Sequence, residues 1–266
     1  MQLLVCVTLV SAFAVYVSGA ALDGPKVGLA WANGNNIPLT NFLTPHVGAI
    51  HTWSPHCPDG SNSIQCYQML WGADSGRITD FNNTVKPAGG NKNVILGFNE
   101  PNEAGQSNLS PQVACIFWHS IIEPRAKEGY TLVSPATSNA PGGIQWMQQF
   151  FQCCSDCTVN AMAVHWFGTS VSSFESWVSQ WHVVFNNRDV LVTEYGFQDF
   201  NGQQHSADEV VAFYKSVGTW MDQQPWIKKY FPFGFIPSPQ SGNPAALMTA
   251  DGQPTALGLM ILNEAY

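Results

Sequence analysis

Short apolar runs, each closed by a glycine, a proline or a polar cluster, recur along most of the chain. Their positions are 26–31, 46–53, 67–72, 93–101, 131–135, 159–168, 189–196 and 230–236. Continuous β-branched runs of this length, without polar alternation, predict strands buried on both faces, as in a parallel sheet. In the fourth run Val94-Ile95-Leu96 passes through Gly97 and Phe98 to Asn99 and Glu100, and Pro101 stops it for want of an N–H. The seventh repeats the design, with Val190-Leu191-Val192-Thr193 running into Glu194, Tyr195 and Gly196.

Helical patterns lie between the later runs. Ser110 and Pro111 supply an N-cap and a first-turn proline, and Ala114, Phe117, Trp118, Ile121 and Ile122 follow at helical spacing toward Gly129. A second helix is expected over 144–151. Ser172 to Glu175 reads as a capping box opening a third, to about Asn186, and Ser206 to Glu209 as another, to about Gln223. The last is expected over 255–263, after Pro254. The intervals between the first strands carry little helical periodicity. Strands alternating with helices in one uninterrupted stretch predict an α/β fold, a (β/α)8 TIM barrel of a single domain. The 266 residues suit the ~250 typical of that barrel. A doubly wound open sheet is the alternative, but neither a G-x-G-x-x-G nor a phosphate loop is present.

Residues 1–20 form a separate object. An uncharged apolar run over 3–17 ends in Ser18-Gly19-Ala20-Ala21, which predicts a secretory signal cut after Ala20 and a mature domain over 21–266. The run falls short of the ~20 residues of a membrane span, so no membrane association is expected after cleavage. Cys6 falls in the signal, leaving six of the seven cysteines for an oxidising compartment. Cys57 and Cys66 flank a polar loop and are expected to close it. Of the adjacent Cys153 and Cys154, one should join Cys157 and the other Cys115. A zinc site is the rival, but no histidine stands at ligand spacing. The net charge of −8 argues against nucleic acid as a partner. Asn82-Asn83-Thr84 and Asn108-Leu109-Ser110 match the glycosylation sequon, and Pro111 makes Asn108 the poorer acceptor.

In a barrel of this kind the strands' carboxyl ends build the active site. Glu100 and Glu194 both fall there. Two carboxylates delivered by two strands are what acid–base chemistry on a glycosidic bond requires. Asn99, Asn139 and His165 are the polar strand-end residues expected beside them, as substrate contacts, with His165 holding either Glu194 or a sugar hydroxyl. Trp31, Trp53, Trp71, Trp166, Tyr195 and Phe235 are the aromatic ones, offering stacking faces for sugar rings.

These residues resemble a known family. Asn99-Glu100-Pro101 and Thr193-Glu194-Tyr195-Gly196 are similar to the large clan of retaining glycosidases built on this barrel. The closer resemblance is to glycoside hydrolase family 128, the fungal β-1,3-glucanases. It rests on Val27-Gly28-Leu29-Ala30-Trp31, Gly97-Phe98-Asn99-Glu100-Pro101-Asn102, Cys154 to Cys157 leading into His165-Trp166-Phe167-Gly168, and Glu194-Tyr195-Gly196. That family often has tyrosine where Phe167 stands. The resemblance implies a secreted fungal enzyme, extracellular or wall-associated, that cleaves β-1,3-glucan with retention. It implies Glu100 as acid/base, Glu194 as nucleophile and Asn99 bonded to the sugar 2-hydroxyl. No metal or cofactor is expected, and a monomer is. Another β-glycan substrate, a non-catalytic glucan-binding protein and a structural wall protein are the alternatives.

Overall fold

The structure, a computed structural model, describes residues 20–238 and 243–266. The expected signal peptide, but for Ala20, lies outside the described residues. Eight parallel strands close a barrel in sequence order. They are β1 (Val27–Ala30), β2 (Val47–His51), β3 (Gln65–Met69), β4 (Val94–Leu96), β5 (Thr131–Thr137), β6 (Ala161–Gly168), β7 (Val190–Phe197) and β8 (Ile227–Pro232).

The helical layer follows local chemistry. Asp74 caps α1 (Ser75–Thr84) by accepting from the Arg77 N–H. Sequence periodicity misses this helix because only Phe81 on it is buried, which leaves no apolar stripe. Between β1 and β2, and again between β2 and β3, only single 3-10 turns stand where helices would complete the repeat. Ser110 caps α2 (Pro111–Phe117) as expected. The helix then widens into a π turn over Trp118–Ile122 before α3 (Pro124–Lys127). Pro124 has no N–H to return to the preceding turn, so the Glu123 N–H reaches the Trp118 carbonyl instead. The helix of the fifth unit is α4 (Gly143–Cys153). The next, α5 (Val171–Val184), is capped by Ser170, two residues before the expected Ser172. Ser206 and Glu209 form the expected capping box of α6 (Ala207–Gln223), and Thr255 caps α7 (Ala256–Leu262).

Side chains alternate along each strand between the barrel interior and the layer under the helices. The interior holds small residues such as Ala30, Ala49, Ala161 and Ala163 around Tyr67, Met69 and Phe231. Gly28 makes room for the Phe231 ring, which a Cβ at that position would meet at 2.2 Å. At the amino-terminal end Lys229 is buried and donates to the carbonyls of Leu22 and Asp23 at 2.8 and 3.2 Å. Lys26 donates to the carbonyls of Met221, Asp222 and Gln224, where α6 ends and its dipole is negative.

Three disulfides join Cys57 to Cys66, Cys115 to Cys153 and Cys154 to Cys157. The sequence left open which of the adjacent cysteines took which partner. Cys153 lies on the last turn of α4 and bonds Cys115 on α2, while Cys154 just beyond closes a short loop on Cys157. No helix among the described residues is long and apolar enough to cross a membrane.

Candidate active site

The chain beyond β4 stays tied to β5. The Ala136 N–H donates to the Phe98 carbonyl and the Glu100 N–H to the Ala136 carbonyl, at 3.0 and 2.7 Å. Glu100 then turns with φ +41°, a left-handed conformation that costs a non-glycine residue about 1–3 kcal/mol and persists only where its surroundings impose it. This turn aims the carboxylate into the barrel mouth. Glu194 lies within β7, paired in register with His165 of β6, beside an irregularity in that ladder between Val164 and His165.

His165 occupies the space between the two glutamates. Its ring is fully buried, with Nδ1 2.9 Å from Glu100 Oε1 and Nε2 3.5 Å from Glu194 Oε1. One carboxylate oxygen of each glutamate and one ring nitrogen lie within 4.8 Å of one another. On the other side the Trp53 indole N–H donates to Glu194 Oε1 at 2.6 Å.

These neighbours set the protonation states. Burial pushes Glu194 above the usual carboxylate range, and the nearby Glu100 charge adds to this; His165 and the Trp53 hydrogen bond pull the other way. Burial alone would depress His165, but attraction to Glu194 and its contact with Glu100 outweigh burial and hold it above an ordinary histidine. The two carboxyl groups thus make His165 bind its proton more readily than an ordinary histidine does. His51 lies behind, fully buried and held neutral, its pKa pushed down to about 3 by burial, with Nε2 2.9 Å from the Thr193 carbonyl.

The glutamates open into a cleft of about 970 Å³. Trp53, Trp71 and Asn99 line it, as expected from the sequence. Trp71 is covered on one face by the Arg77 guanidinium, 4.1 Å from the ring centre. Asn99 donates to Gln106 Oε1, and its own Oδ1 has no protein partner.

Four of the other expected substrate contacts are placed differently. Trp31, Trp166 and Tyr195 each follow an inward residue, and strand alternation turns them outward under the helices. Trp31 packs on Phe42, and its N–H binds the Gly34 carbonyl. Trp166 lies between Phe174 and Phe213, and Tyr195 among Phe174, Tyr214 and Tyr230. Phe235 sits beyond a turn at Gly234 with φ +127° and packs on Phe42. All four are core residues. Asn139 does line the cleft, but its amide is engaged with both backbone groups of Phe167, holding β5's loop to β6. His165 meets carboxylates on both nitrogens and has no exposed face for a sugar.

The rest of the cleft comes from loops that carry no strand signal. Glu103 and Gln106 follow β4, Gln198 and Phe200 follow β7, and Phe233 and Ile236 follow β8. Phe167 joins them as the inward neighbour of outward Trp166, which alternation would have indicated. Phe200 is 75% exposed in a polar loop, and an aromatic with no core to enter was its only signal.

Of the other grouped metal-ligand types, Cys115, His119 and Cys154 lie close together, but both sulfurs are in disulfides and offer no thiolate. Among Glu100, His165 and Glu194 the imidazole bonds Glu100 through Nδ1, while Nε2 stands 3.5 Å from Glu194 without a hydrogen-bond partner among the described residues.

The family described as glycosyl hydrolase catalytic core matches residues 28–260. The chain belongs to this family. Within it, the chain is similar to a curdlan-specific exo-β-1,3-glucanase of glycoside hydrolase family 128 from Blastomyces gilchristii, solved with glucose. The two are 29% identical with TM-score 0.71, over 89% of this chain and 97% of the other. An oligosaccharide-binding protein of the same hydrolase family from Cryptococcus neoformans shares the fold at 21% identity and TM-score 0.73, over 94% and 98% of the two chains. Among curated proteins, Alkali-sensitive linkage protein 1 of Schizosaccharomyces pombe is 25% identical over 250 residues, 91% of this chain. The chain spans only 44% of that relative's length.

Proposed function

We propose that this glycosyl hydrolase family member cleaves β-1,3-glucan by double displacement with retention. The observation that carries the reading is the Glu100–His165–Glu194 cluster opening into an aromatic cleft. Retaining glycosidases hold their carboxyl groups about 5–5.5 Å apart, against roughly 6.5–9.5 Å where water must fit between. One oxygen of each glutamate lies within 4.8 Å of the other, so both carboxyl groups can reach one sugar.

In the first step a Glu194 oxygen bonds the anomeric carbon while Glu100 passes its proton to the departing glucan oxygen. In the second, Glu100 takes a proton from water, the hydroxide adds to the anomeric carbon, and Glu194 leaves. His165, between the two carboxyl groups, favours the ionised form of Glu194 that the first step needs. In the glycosyl-enzyme Glu194 is an uncharged ester. The Nδ1–H bonded to Glu100 Oε1 leaves the other carboxyl oxygen to carry the transferable proton. Trp71 offers its uncovered face to a glucose ring, and Asn99 a polar group to the 2-hydroxyl.

The leader expected over 1–20, the paired cysteines and the similarity to fungal relatives support secretion to the wall or its surroundings, and the two sequons support glycan at Asn82 before Asn108. Both asparagines are exposed.

NMR analysis of products from laminarin tests the reading. A β-configured first product supports it, and an α-configured one replaces retention with inversion. Tight laminari-oligosaccharide binding with no turnover would place the chain with the oligosaccharide-binding protein whose fold it shares.

A further inference from the structure

The sequence assigns Trp53 to sugar stacking, but its geometry serves Glu194. We propose that Trp53 is a positioning residue, whose indole N–H orients Glu194 and favours its carboxylate; this rests on the reading of Glu194 as nucleophile.

Among the described residues Glu194 receives one hydrogen bond, the 2.6 Å bond from Trp53 Nε1 to Oε1. An N–H bonded to a carboxylate at this length is a charge-assisted contact, about twice the strength of a neutral one. The backbone is bent to make it. Trp53 has φ +54°, a conformation a bulky residue adopts only under constraint. Its ring is fixed edge-on by His51 at 4.8 Å and Phe233 at 5.9 Å between centroids. The donor is therefore preorganised before substrate arrives. Holding Oε1 leaves the second oxygen of Glu194 to meet the anomeric carbon. In the glycosyl-enzyme the same N–H falls on the ester carbonyl oxygen, where negative charge returns as Glu194 departs.

The other ionisable groups facing Glu194 are His165 on β6 and Glu100 beyond β4, with neutral His51 behind the Thr193 carbonyl. His165 and the Trp53 N–H favour the carboxylate, and Glu100 opposes it. Removing the indole N–H takes away one of the two stabilising influences.

The test compares Trp53→Phe, Trp71→Phe and the native protein on laminari-oligosaccharides across pH. A protein carrying benzothienylalanine at position 53 keeps the ring and lacks only the N–H, should Trp53→Phe fold poorly. For both changes at 53 the acid limb of kcat/KM should move to higher pH, and kcat should fall about tenfold or more while KM moves less than about threefold. Trp71→Phe should leave the acid limb in place. A raised KM with an unmoved acid limb at position 53 would overturn the proposal and return Trp53 to the stacking role. If the native protein turns over no glucan, the reading of its function fails, and carbon NMR titration of the Glu194 carboxyl still decides the proposal. An unchanged Glu194 titration without the N–H overturns it.

Discussion

Nδ1 of His165 and Oε1 of Glu100 stand 2.9 Å apart although 65 residues separate them in the chain. The contact fixes the orientation of the Glu100 carboxyl group. His165→Gln keeps a hydrogen-bonding amide near Glu100 and removes the charge. Proton transfer should then suffer most where it matters most. We expect kcat/KM to fall about tenfold or more on glucan, and much less on aryl glycosides with acidic leaving groups. The charge also favours ionised Glu194, so its loss should raise the Glu194 pKa and shift the acid limb upward. Equal losses on both substrate types would remove His165 from proton transfer.

The two glutamates should separate cleanly by chemical rescue. Glu194→Gln has no nucleophile and should not turn over even an activated aryl glycoside. Glu100→Ala should accumulate glycosyl-enzyme from that substrate, and azide should release it as the β-glycosyl azide. Recovery of the β-azide from Glu194→Gln instead would exchange the roles.

Tryptophan truncation distinguishes wall from core. Trp31→Ala removes a fully buried ring and should cost about 3–5 kcal/mol of stability. Trp71→Ala should unfold at nearly the native denaturant midpoint, yet raise KM or alter the product pattern on laminarin. Its ring borders the cleft and rests on Arg77. Denaturant titration beside steady-state kinetics reads both.

Lys229 predicts a pH dependence of stability. Burial lowers its pKa from 10.5 to about 8, with no carboxylate among its hydrogen-bond partners. Between those values the unfolded chain binds more protons than the native one, so this group's contribution rises with pH. Below about 8 both states carry the charge and its burial penalty is constant. Native protein should therefore gain stability relative to Lys229→Met as pH rises from 8 to 10. Urea midpoints of the two proteins, measured across that range, should show a difference that moves in favour of the native chain. A constant difference would mean that Lys229 does not titrate there.

The strands and the glutamates were legible because buried runs end in charge only for a reason. Apolar runs such as Val190 to Thr193 lead straight into a carboxylate, and no packing demand explains it. The tryptophans misled because position at a strand end says nothing about which face a residue takes. Alternation, applied outward from Glu194 and His165, would have sent Tyr195 and Trp166 to the core. α1 escaped because a helix held by its cap and one buried phenylalanine has no period to read. Trp53 and Glu100 owe their aim to left-handed backbone at non-glycine residues, which leaves no mark in composition. Phe200, Gln106 and Ile236 come from loops, where neighbouring strands rather than local sequence decide direction.

The disulfides divide the molecule unevenly. Cys57–Cys66 anchors the loop between β2 and β3, and Cys115–Cys153 clamps the helices that follow β4 and β5. From β6 onward no cysteine remains, so α5 to α7 and the strands among them are held without a covalent cross-link. Glu100 thus belongs to a covalently braced half and Glu194 to an unbraced one. A change in redox environment acts on the first half alone. Reductant would loosen the scaffold around Glu100 while the Glu194 strand kept every bond it had, leaving a catalytic pair with one partner adrift.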